Sequence, residues 1–293
     1  MNRGYLYATL SYIMWGLLPI YWKIFTQVSA WEILTHRIIW SVVFVLILVG
    51  IQRKWKQLKQ AIPDAKSFLA LTISSLLISL NWMIYIWAVN SNHMVEASLG
   101  YYINPLVSVF LGVFFLGERL SKLQWASIGL AAVGVIIMTV SYGQFPWVAI
   151  TLAVSFGLYG LAKKRIKVEP LIGLSLETLI VAPIALIFLL TFLHGGEAFV
   201  VLPGWKIAVL LLAGVATALP LLFFAEGAKR LPLSVMGFFQ YIAPTISLIL
   251  SLAVYGEPFT TNDIISFGFI WSALILYSVQ IIKIQKEPRP HTT

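Results

Sequence analysis

One helix pattern occurs twice in this chain, and its two copies lie 139 positions apart. Residues 102–105, Tyr-Ile-Asn-Pro, precede a Gly-Glu pair at 117–118. Residues 241–244, Tyr-Ile-Ala-Pro, precede the same pair at 256–257. Each copy belongs to an apolar stretch with a proline at its middle. Such a pattern is typical of an internally duplicated membrane protein, and duplicated membrane proteins of this length are mostly secondary transporters with a substrate site between the halves.

The composition argues against a water-soluble protein. Hydrophobic residues make up 60% of the chain and charged residues 11%, whereas a soluble domain carries about 25% charged residues. Because the chain has too little polar surface to face water on all sides, we expect an integral membrane protein. It contains no cysteine, so neither a disulfide nor a thiolate metal site can form.

Apolar stretches long enough to cross a bilayer core, about 20 residues each, occur at ten places. The loops between them are short, which leaves no room for a soluble domain. The sequence therefore predicts an all-α integral membrane protein with ten transmembrane helices. The ten stretches lie near Gly4–Phe25, Ala30–Ile51, Phe68–Asn90, His93–Leu116, Leu123–Ser141, Phe145–Ala162, Pro170–Leu193, Trp205–Glu226, Pro232–Tyr255 and Ile264–Ile284.

The positive charges fall mainly on one side of these predicted helices. Of the 20 lysines and arginines, 17 lie on one side, Lys23 and Lys206 lie on the other, and Arg37 lies inside a span. Because cytoplasmic loops collect positive charge, both termini are predicted to be cytoplasmic. The net charge of +9 thus indicates membrane orientation rather than a nucleic-acid partner. The 17 residues are Arg3, Arg53, Lys54, Lys56, Lys59, Lys66, Arg119, Lys122, Lys163, Lys164, Arg165, Lys167, Lys229, Arg230, Lys283, Lys286 and Arg289.

Ten helices in two halves give five helices per half, which is an odd number. The second half must then enter the membrane in the opposite sense from the first, which makes two inverted five-helix repeats. The predicted repeats are residues 1–141 and 142–293, and the second ends in a short basic cytoplasmic tail. This architecture lets a central site open to either face when the two halves rock.

A set of aromatic, polar and small residues follows a fixed order through the first half. It consists of Trp15-Gly16, Pro19, Tyr21-Trp22-Lys23, His36-Arg37, Trp40-Ser41, Asn81-Trp82, Tyr85, Trp87-Ala88-Val89-Asn90 and residues 96–105. This order and spacing resemble the RarD branch of the EamA-type drug/metabolite transporters, over nearly the whole chain. The resemblance implies a ten-helix bacterial inner-membrane exporter or permease for small metabolites or amphipathic compounds. The second half has Ala243 where the first has Asn104, so the polar contribution of that asparagine is one-sided.

Two charged residues are predicted to lie inside the membrane, one in each half. Arg37 lies about a third of the way into its helix, where a charge costs at least about 2.5–3.5 kcal/mol unless it meets a cavity or a partner. It is a candidate substrate contact with His36 beside it; the alternative is an arginine that extends to the headgroups. Glu177 lies at a similar depth from the opposite face. Glu177 and His36 are candidates for proton coupling; the alternative for Glu177 is a structural hydrogen bond.

A polar and aromatic set lies on the third, fourth and ninth predicted helices. Interior amides and phenols can bind a substrate, and an aromatic lining suits flat or amphipathic molecules. The alternative is hydrogen bonding between helices. Trp15, which is deep in the first helix and next to Gly16, is a further candidate for the lining. The set comprises Asn81, Tyr85, Tyr101, Tyr102, Asn104, Gln240 and Tyr241.

Pro105 and Pro244 each lie near a helix midpoint. Proline removes a backbone hydrogen bond and bends a helix, which frees carbonyl groups that can face a cavity. They are candidates for hinges that shape the site; the alternative is static kinks that let crowded helices pack. Gly117 and Gly256 are predicted helix stops, and the glutamate after each is expected to be a loop charge or an ion-pair partner.

Motifs for chemistry are absent from the sequence. It has no Walker loop, no His-Glu-x-x-His zinc motif and no Gly-x-Ser-x-Gly elbow, so no enzyme and no cofactor are expected. The sequence predicts a secondary active transporter that moves a small molecule across the inner membrane by alternating access. The alternatives are a non-transporting membrane scaffold and an intramembrane enzyme acting on a lipid-linked substrate. The expected partners are a small-molecule substrate and the lipid bilayer; a monomer is expected, and a dimer is compatible with the sequence.

Overall fold

The computed structural model describes residues 3–61, 65–91, 93–255 and 261–286. Within these ranges the chain is α-helical with short connections and contains no β-strand. The second Gly-Glu pair, at 256–257, lies outside the described residues. The helices are α1 (Arg3–Trp22), α2 (Ala30–Ile51), α3 (Trp55–Gln60), α4 (Ala65–Asn90), α5 (Met94–Leu116), α6 (Lys122–Tyr142), α7 (Trp147–Arg165), α8 (Pro170–Thr191), α9 (Ala198–Val201), α10 (Gly204–Leu211), α11 (Ala213–Arg230), α12 (Leu233–Gln240), α13 (Ile242–Tyr255) and α14 (Thr261–Lys286), with a 3₁₀ turn at Lys23–Phe25.

Each predicted apolar stretch corresponds to one helix or to two consecutive helices. The eighth stretch is divided between α10 and α11 at Leu212, and the ninth is divided between α12 and α13 at Tyr241. By length and composition, eight spans in the described part of the chain are long and apolar enough to cross a membrane, and α1 and α7 are not among them. The all-helical membrane architecture is therefore confirmed, whereas the count of ten spans stays a prediction.

Local sequence signals fix several helix ends. Ser29 precedes α2, and its Oγ accepts a hydrogen bond from the Glu32 amide at 3.2 Å. Ser121 and Gln124 form a reciprocal capping box at the start of α6. Gly117, at the end of α5, has a φ of 66°, in the left-handed region that favours glycine. Gly117 is thus the helix stop that the sequence predicts.

The helices of the two halves pack in matched pairs. Under an exchange that pairs each helix of the first half with its equivalent in the second, the most extensive helix contacts map onto one another or onto themselves. The exchange pairs α1 with α7, α2 with α8, α4 with α10–α11, α5 with α12–α13 and α6 with α14. Thus α1 packs on α11 as α7 packs on α4, α1 packs on α13 as α7 packs on α5, and α2 packs on α11 as α8 packs on α4. The contacts of α2 with α8, of α5 with α12 and of α6 with α14 map onto themselves. The two halves therefore share one packing plan.

Small residues allow the closest of these approaches. A Cβ atom at Gly16 in α1 would lie 2.8 Å from Cβ of Ile246 in α13. In the equivalent contact, a Cβ at Gly157 in α7 would lie 2.9 Å from Cγ1 of Val107 in α5. At Gly214 in α11 it would collide with the carbonyl oxygen of Trp40 in α2. Helices in lipid associate through this kind of close packing, because lipid tails are as apolar as the side chains.

Gly214→Ala is expected to destabilise the protein. The added methyl group meets rigid backbone, so overpacking should lower stability by about 1–3 kcal/mol. The measurement is thermal unfolding of the purified protein in detergent. The matched control is Gly129→Ala in α6, where a Cβ would meet nothing within 4 Å. Equal melting temperatures for the two variants would contradict the close α2–α11 contact.

Candidate functional site

Arg37 lies in α2 between the two halves of the molecule, and no carboxylate lies within salt-bridge distance of it in the described part of the chain. Its Nε donates a hydrogen bond to Thr217 Oγ1 of α11 at 3.1 Å. Its Cζ lies 4.6 Å from the ring centroid of Trp22 and 5.2 Å from that of Trp82. Two aromatic faces and one hydroxyl therefore hold the guanidinium, while most of its donors stay available to a ligand.

Three tyrosines also interact with Arg37. The rings of Tyr85 and Tyr101 lie 5.8 Å apart in an edge-to-face arrangement. Tyr21, Tyr85 and Tyr101 all interact electrostatically with Arg37. We call this group the Arg37 cluster. It consists of Tyr21, Trp22, Arg37, Trp82, Tyr85 and Tyr101.

The two ends of the molecule differ in the exposure of equivalent residues. Tyr101 is 47% exposed although it interacts with the interior Arg37, whereas Gln240, the equivalent residue of the other half, is 7% exposed. Residues 170–178 of α8 and 233–238 of α12 are all buried. An exposed tyrosine therefore lies at the end that holds the start of α5, while the starts of α8 and α12 at the other end are buried.

Asn81 is used in helix packing. Its Nδ2 donates hydrogen bonds to the Leu152 carbonyl oxygen at 2.8 Å and to Ser155 Oγ at 2.9 Å. Both acceptors belong to α7, so the amide joins α4 to α7. This geometry is the interhelical hydrogen bonding that the sequence left open as an alternative.

The two copies of the repeated motif contact each other. Tyr102 donates a hydrogen bond to the Pro244 carbonyl oxygen at 3.4 Å, and Tyr241 donates one to the Tyr102 carbonyl oxygen at 3.3 Å. Gln240 accepts a hydrogen bond from Ser108 Oγ at 3.3 Å. Asn104 is 4% exposed, and its Oδ1 has no partner within the described ranges. The motif is thus the crossing point of the two halves.

The two prolines differ in their surroundings. Pro105 lies inside the continuous helix α5. Pro244 comes three residues after the break at Tyr241, so it lies in the first turn of α13, where a missing N–H costs no helical hydrogen bond. The hinge role predicted for Pro105 and Pro244 stays a prediction.

Trp15 belongs to an aromatic cluster separate from Arg37. Its ring lies 5.4 Å from Tyr12, 5.6 Å from Phe156 and 5.7 Å from Phe224, between centroids. Tyr159, the equivalent residue of the second half, stacks on the same Phe224 at 5.9 Å. The two residues therefore occupy matching places around one shared phenylalanine.

Glu177 forms a buried ion pair. Its Oε2 lies 2.6 Å from Lys163 Nζ of α7, and its Oε1 accepts a hydrogen bond from Ser74 Oγ of α4 at 2.7 Å. The side chains of Lys163 and Glu177 are 5% and 2% exposed. The contact of Glu177 with Ser74 in α4 is the equivalent of the contact of Arg37 with Thr217 in α11, which agrees with the predicted relation between the two charges.

His36 lies apart from Glu177, in a different set of neighbours. It is 2% exposed, and its Nε2 lies 3.7 Å from Glu32 Oε1 without a hydrogen-bond partner in the described part of the chain. Its ring meets that of Phe199 edge to face at 5.3 Å. The structure therefore does not bring together the two residues proposed for proton coupling.

Sequence reasoning missed the role of Lys163. Its position among three other basic residues at the end of α7 indicated a loop charge at the membrane surface. Glu118 is a second such case: it accepts hydrogen bonds from the Ser234 amide at 2.9 Å and from Ser234 Oγ at 2.6 Å, and so caps the start of α12 in the other half. The position of Glu118 directly after the helix-stop glycine was a sequence signal for a role of this kind. The identity of its partner, however, depends on how the helices pack.

Residues 2–140 and 146–279 each match the EamA-like transporter family. The chain therefore belongs to this family, and its apolar helices make it a multi-pass membrane protein. It is 51% identical over 297 residues to the uncharacterized transporter YojE of Bacillus subtilis, covering 99% of this chain and 98% of that protein. It is 42% identical over 286 residues to Protein RarD of Escherichia coli, covering 97% of each.

Among solved structures, a crystal structure with 18% sequence identity superposes on the chain with a TM-score of 0.69. The match covers 97% of this chain and 99% of that one. This similarity shows a shared fold. Family and relatives together place the protein among the EamA-type transporters of the RarD branch.

Lys163→Ala is expected to destabilise the protein more than the double change Lys163→Met with Glu177→Leu. The single variant leaves a buried carboxylate without its counter-ion, which costs about 3–5 kcal/mol, while replacing both charges by apolar side chains is close to neutral. Thermal unfolding in detergent measures both variants. A double variant that is as unstable as the single one would contradict the buried pairing.

Proposed function

We propose that the protein is a secondary active transporter that moves small organic metabolites or amphipathic compounds across the bacterial inner membrane by alternating access. Both termini are cytoplasmic in this proposal, and the second half is inverted relative to the first. The functional unit is one chain, because the Arg37 cluster is built within it. The observation that carries the proposal is a guanidinium that has no carboxylate partner among the described residues and is held by aromatic rings between two matched halves.

The energetic position of Arg37 supports a substrate contact. A charge inside the membrane costs at least about 2.5–3.5 kcal/mol, and it is normally balanced by a counter-ion or a cavity. The hydroxyl of Thr217 and the faces of Trp22 and Trp82 offset part of this cost. A substrate carboxylate would offset the rest through charge-assisted hydrogen bonds.

The residues around Arg37 indicate the chemistry of the rest of the substrate, beyond its carboxylate. The rings of Tyr85 and Tyr101 meet edge to face, and both tyrosines interact electrostatically with the guanidinium. Aromatic walls with few polar groups favour a planar or amphipathic body. We therefore place the anionic end of the substrate at Arg37 and its apolar body against these rings. Around this core, the proposed substrate-binding set also includes Trp15, Asn81, Tyr102, Asn104, Gln240 and Tyr241.

Alternating access is supported by the matched packing and by the unequal openness of the two ends. Tyr101 at the Arg37 end is exposed, while the Glu177 end holds buried helix starts and the buried ion pair with Lys163. This arrangement corresponds to an outward-facing state in the proposed orientation. Rocking about the motif crossing, with Pro105 and Pro244 as hinges, would close the first end and open the second. Glu177 and His36 are the proposed proton-coupling groups.

Arg37→Ala is expected to weaken the binding of aromatic carboxylates. The probes are aromatic carboxylates paired with their carboxamides, tested by thermal stabilisation of the detergent-purified protein. The carboxylates should stabilise the parent more than the carboxamides, and their affinity should fall at least about ten-fold in Arg37→Ala. Counterflow of a stabilising compound in proteoliposomes then tests transport.

The matched control is Arg119→Ala, which removes an exposed guanidinium outside the cluster. It should bind and transport like the parent. An Arg37→Ala variant that keeps both the stabilisation and the counterflow would contradict the assigned site. A parent protein that binds a carboxylate yet shows no counterflow would contradict the transport proposal itself.

A further inference from the structure

The Lys163–Glu177 pair is unlike the other lysine and arginine ion pairs of the described residues, because both of its side chains are almost fully buried. A buried pair rarely stabilises a protein, since removing two charges from water costs about as much as their attraction returns. Lys163 donates to Glu177, and its Nζ also lies 5.3 Å from the ring centroid of Tyr159. The pair therefore calls for an explanation other than stability.

A small cavity lies directly beside this pair. Its volume is about 20 Å³, enough for one water molecule. Glu177 and Tyr159 line it, and so does Trp82, whose ring contacts Arg37. The cavity thus touches both a residue of the Arg37 cluster and a residue of the buried ion pair.

Two hydroxyl groups on the cavity wall have no protein partner. Tyr159 is fully buried, and its Oη makes no hydrogen bond within the described ranges; the same holds for Ser79 Oγ. A buried hydroxyl without a partner is costly, so buried hydroxyls are normally satisfied by protein or by ordered water. By contrast, the Thr178 hydroxyl on the same wall already donates to the Leu174 carbonyl oxygen. The chemistry of the cavity fits one small polar molecule bound by Tyr159 and Ser79.

We propose that this cavity holds a water that carries protons from the side of the Arg37 cluster to Glu177, and that protonation of Glu177 opens the end of the transporter that this ion pair closes. In this step a hydronium ion gives its proton to the Glu177 carboxylate, which leaves a neutral carboxylic acid and a water molecule. No other bond forms or breaks. The inference rests on the proposed alternating access and deepens it, because it names the coupling ion and the groups that respond to it.

Protonation of Glu177 destabilises the closed end through its effect on Lys163. Once Glu177 is neutral, Lys163 is a buried ammonium without a counter-ion, and leaving it in a closed interior is costly. Opening this end lets Nζ reach water. The step therefore converts a proton arriving from the outer side into opening at the inner side.

The groups that face Glu177 support this assignment. From α7 come Lys163 and Tyr159, and from α4 come Ser74 and Ser79. The α2 and α11 walls of the cavity contribute no charged side chain. Beyond the cavity, the nearby charged groups are Lys229, which interacts with Lys163, and the Lys54–Glu169 pair at the start of α8.

Single-cysteine reporters test the proposal without a known substrate, because the chain has no cysteine of its own. Val235→Cys places a thiol at a buried position near the start of α12, and Val148→Cys places one at a buried position near the start of α7, at the opposite end. Because such reagents attack the thiolate, each rate is taken relative to that of a free thiol at the same pH. We expect this relative rate at Val235→Cys to be about ten-fold higher at about pH 5.5 than at about pH 8, with no such rise at Val148→Cys. Equal relative rates at the two pH values for Val235→Cys would overturn the proposal.

Changes at the pair should remove this pH response. In the Val235→Cys background, Glu177→Gln imitates the protonated acid, so modification should be fast at both pH values. The double change Lys163→Gln with Glu177→Gln keeps a hydrogen-bonding pair without charge; it should be stable and insensitive to pH. A Glu177→Gln variant with the parent's pH response would overturn the assignment of Glu177.

Tyr159→Phe tests the water route. It removes one unpartnered hydroxyl and keeps the ring, so the stability of the protein should be retained. After a drop in pH, the rise in the modification rate of Val235→Cys should develop more slowly than in the parent. X-ray radiolytic labelling of the parent in ¹⁸O-water should also modify Tyr159 more than Tyr277, which is equally buried but is hydrogen bonded to Gln124. Protection of Tyr159 together with a parent-like response in Tyr159→Phe would overturn the route. Loss of ligand binding with an intact pH response would instead count against the substrate site alone.

Discussion

The structure depends on the crossing of the two copies of the repeated helix. At this crossing the tyrosine of each copy donates to the backbone of the other half, and Gly237 leaves only enough room for the Pro105 carbonyl oxygen, since a Cβ there would lie 2.7 Å from it. Helices in lipid are not driven together by water, so close packing and polar contacts of this kind decide which surfaces meet. The matched contacts on either side of the crossing follow from it.

Two interior charges of opposite sign occupy equivalent places around this crossing. Arg37 meets a hydroxyl of α11, and Glu177 meets a hydroxyl of α4. Of these two charges, only Glu177 has a counter-ion within the described ranges, because Lys163 reaches it from α7. One charge is therefore paired by the protein, while the other meets only a hydroxyl and aromatic rings in the same ranges. This difference turns a symmetric packing plan into an asymmetric conformation.

The overall architecture could be predicted from the sequence because the length and composition of apolar stretches report directly on membrane helices. The placement of Arg37 and Glu177 at similar depths from opposite faces stays a prediction, and the structure adds that each contacts a hydroxyl of a helix in the other half. The breaks at Leu212 and Tyr241 could not, because neither residue is a helix breaker and tertiary packing places the interruptions. The partner of Glu177 was also out of reach. Lys163 looks like a surface charge in sequence, but its long flexible stem lets the ammonium turn inward.

Asn81 illustrates the same limit. The sequence indicates an interior amide, but only the packing of α4 on α7 decides whether its donors face a cavity or a neighbouring helix. Conversely, the aromatic residues around Arg37 were part of the family resemblance, although their arrangement over the two faces of the guanidinium was not readable from spacing. Membership of a transporter family thus constrains the class of function, and the geometry constrains where a ligand binds.

The central claim is that the two halves lie in opposite senses across the membrane, and membrane topology measured with single cysteines tests it most directly. Gln144→Cys lies in the connection between the halves and Lys167→Cys in the connection after α7, and both positions are exposed. The test uses cells that have been stripped of the layers outside the cytoplasmic membrane. An impermeant thiol reagent should label Gln144→Cys at once, and Lys167→Cys only after the cytoplasmic membrane is permeabilised. Labelling of Lys167→Cys but not of Gln144→Cys from outside, or of both together, would contradict the inverted arrangement.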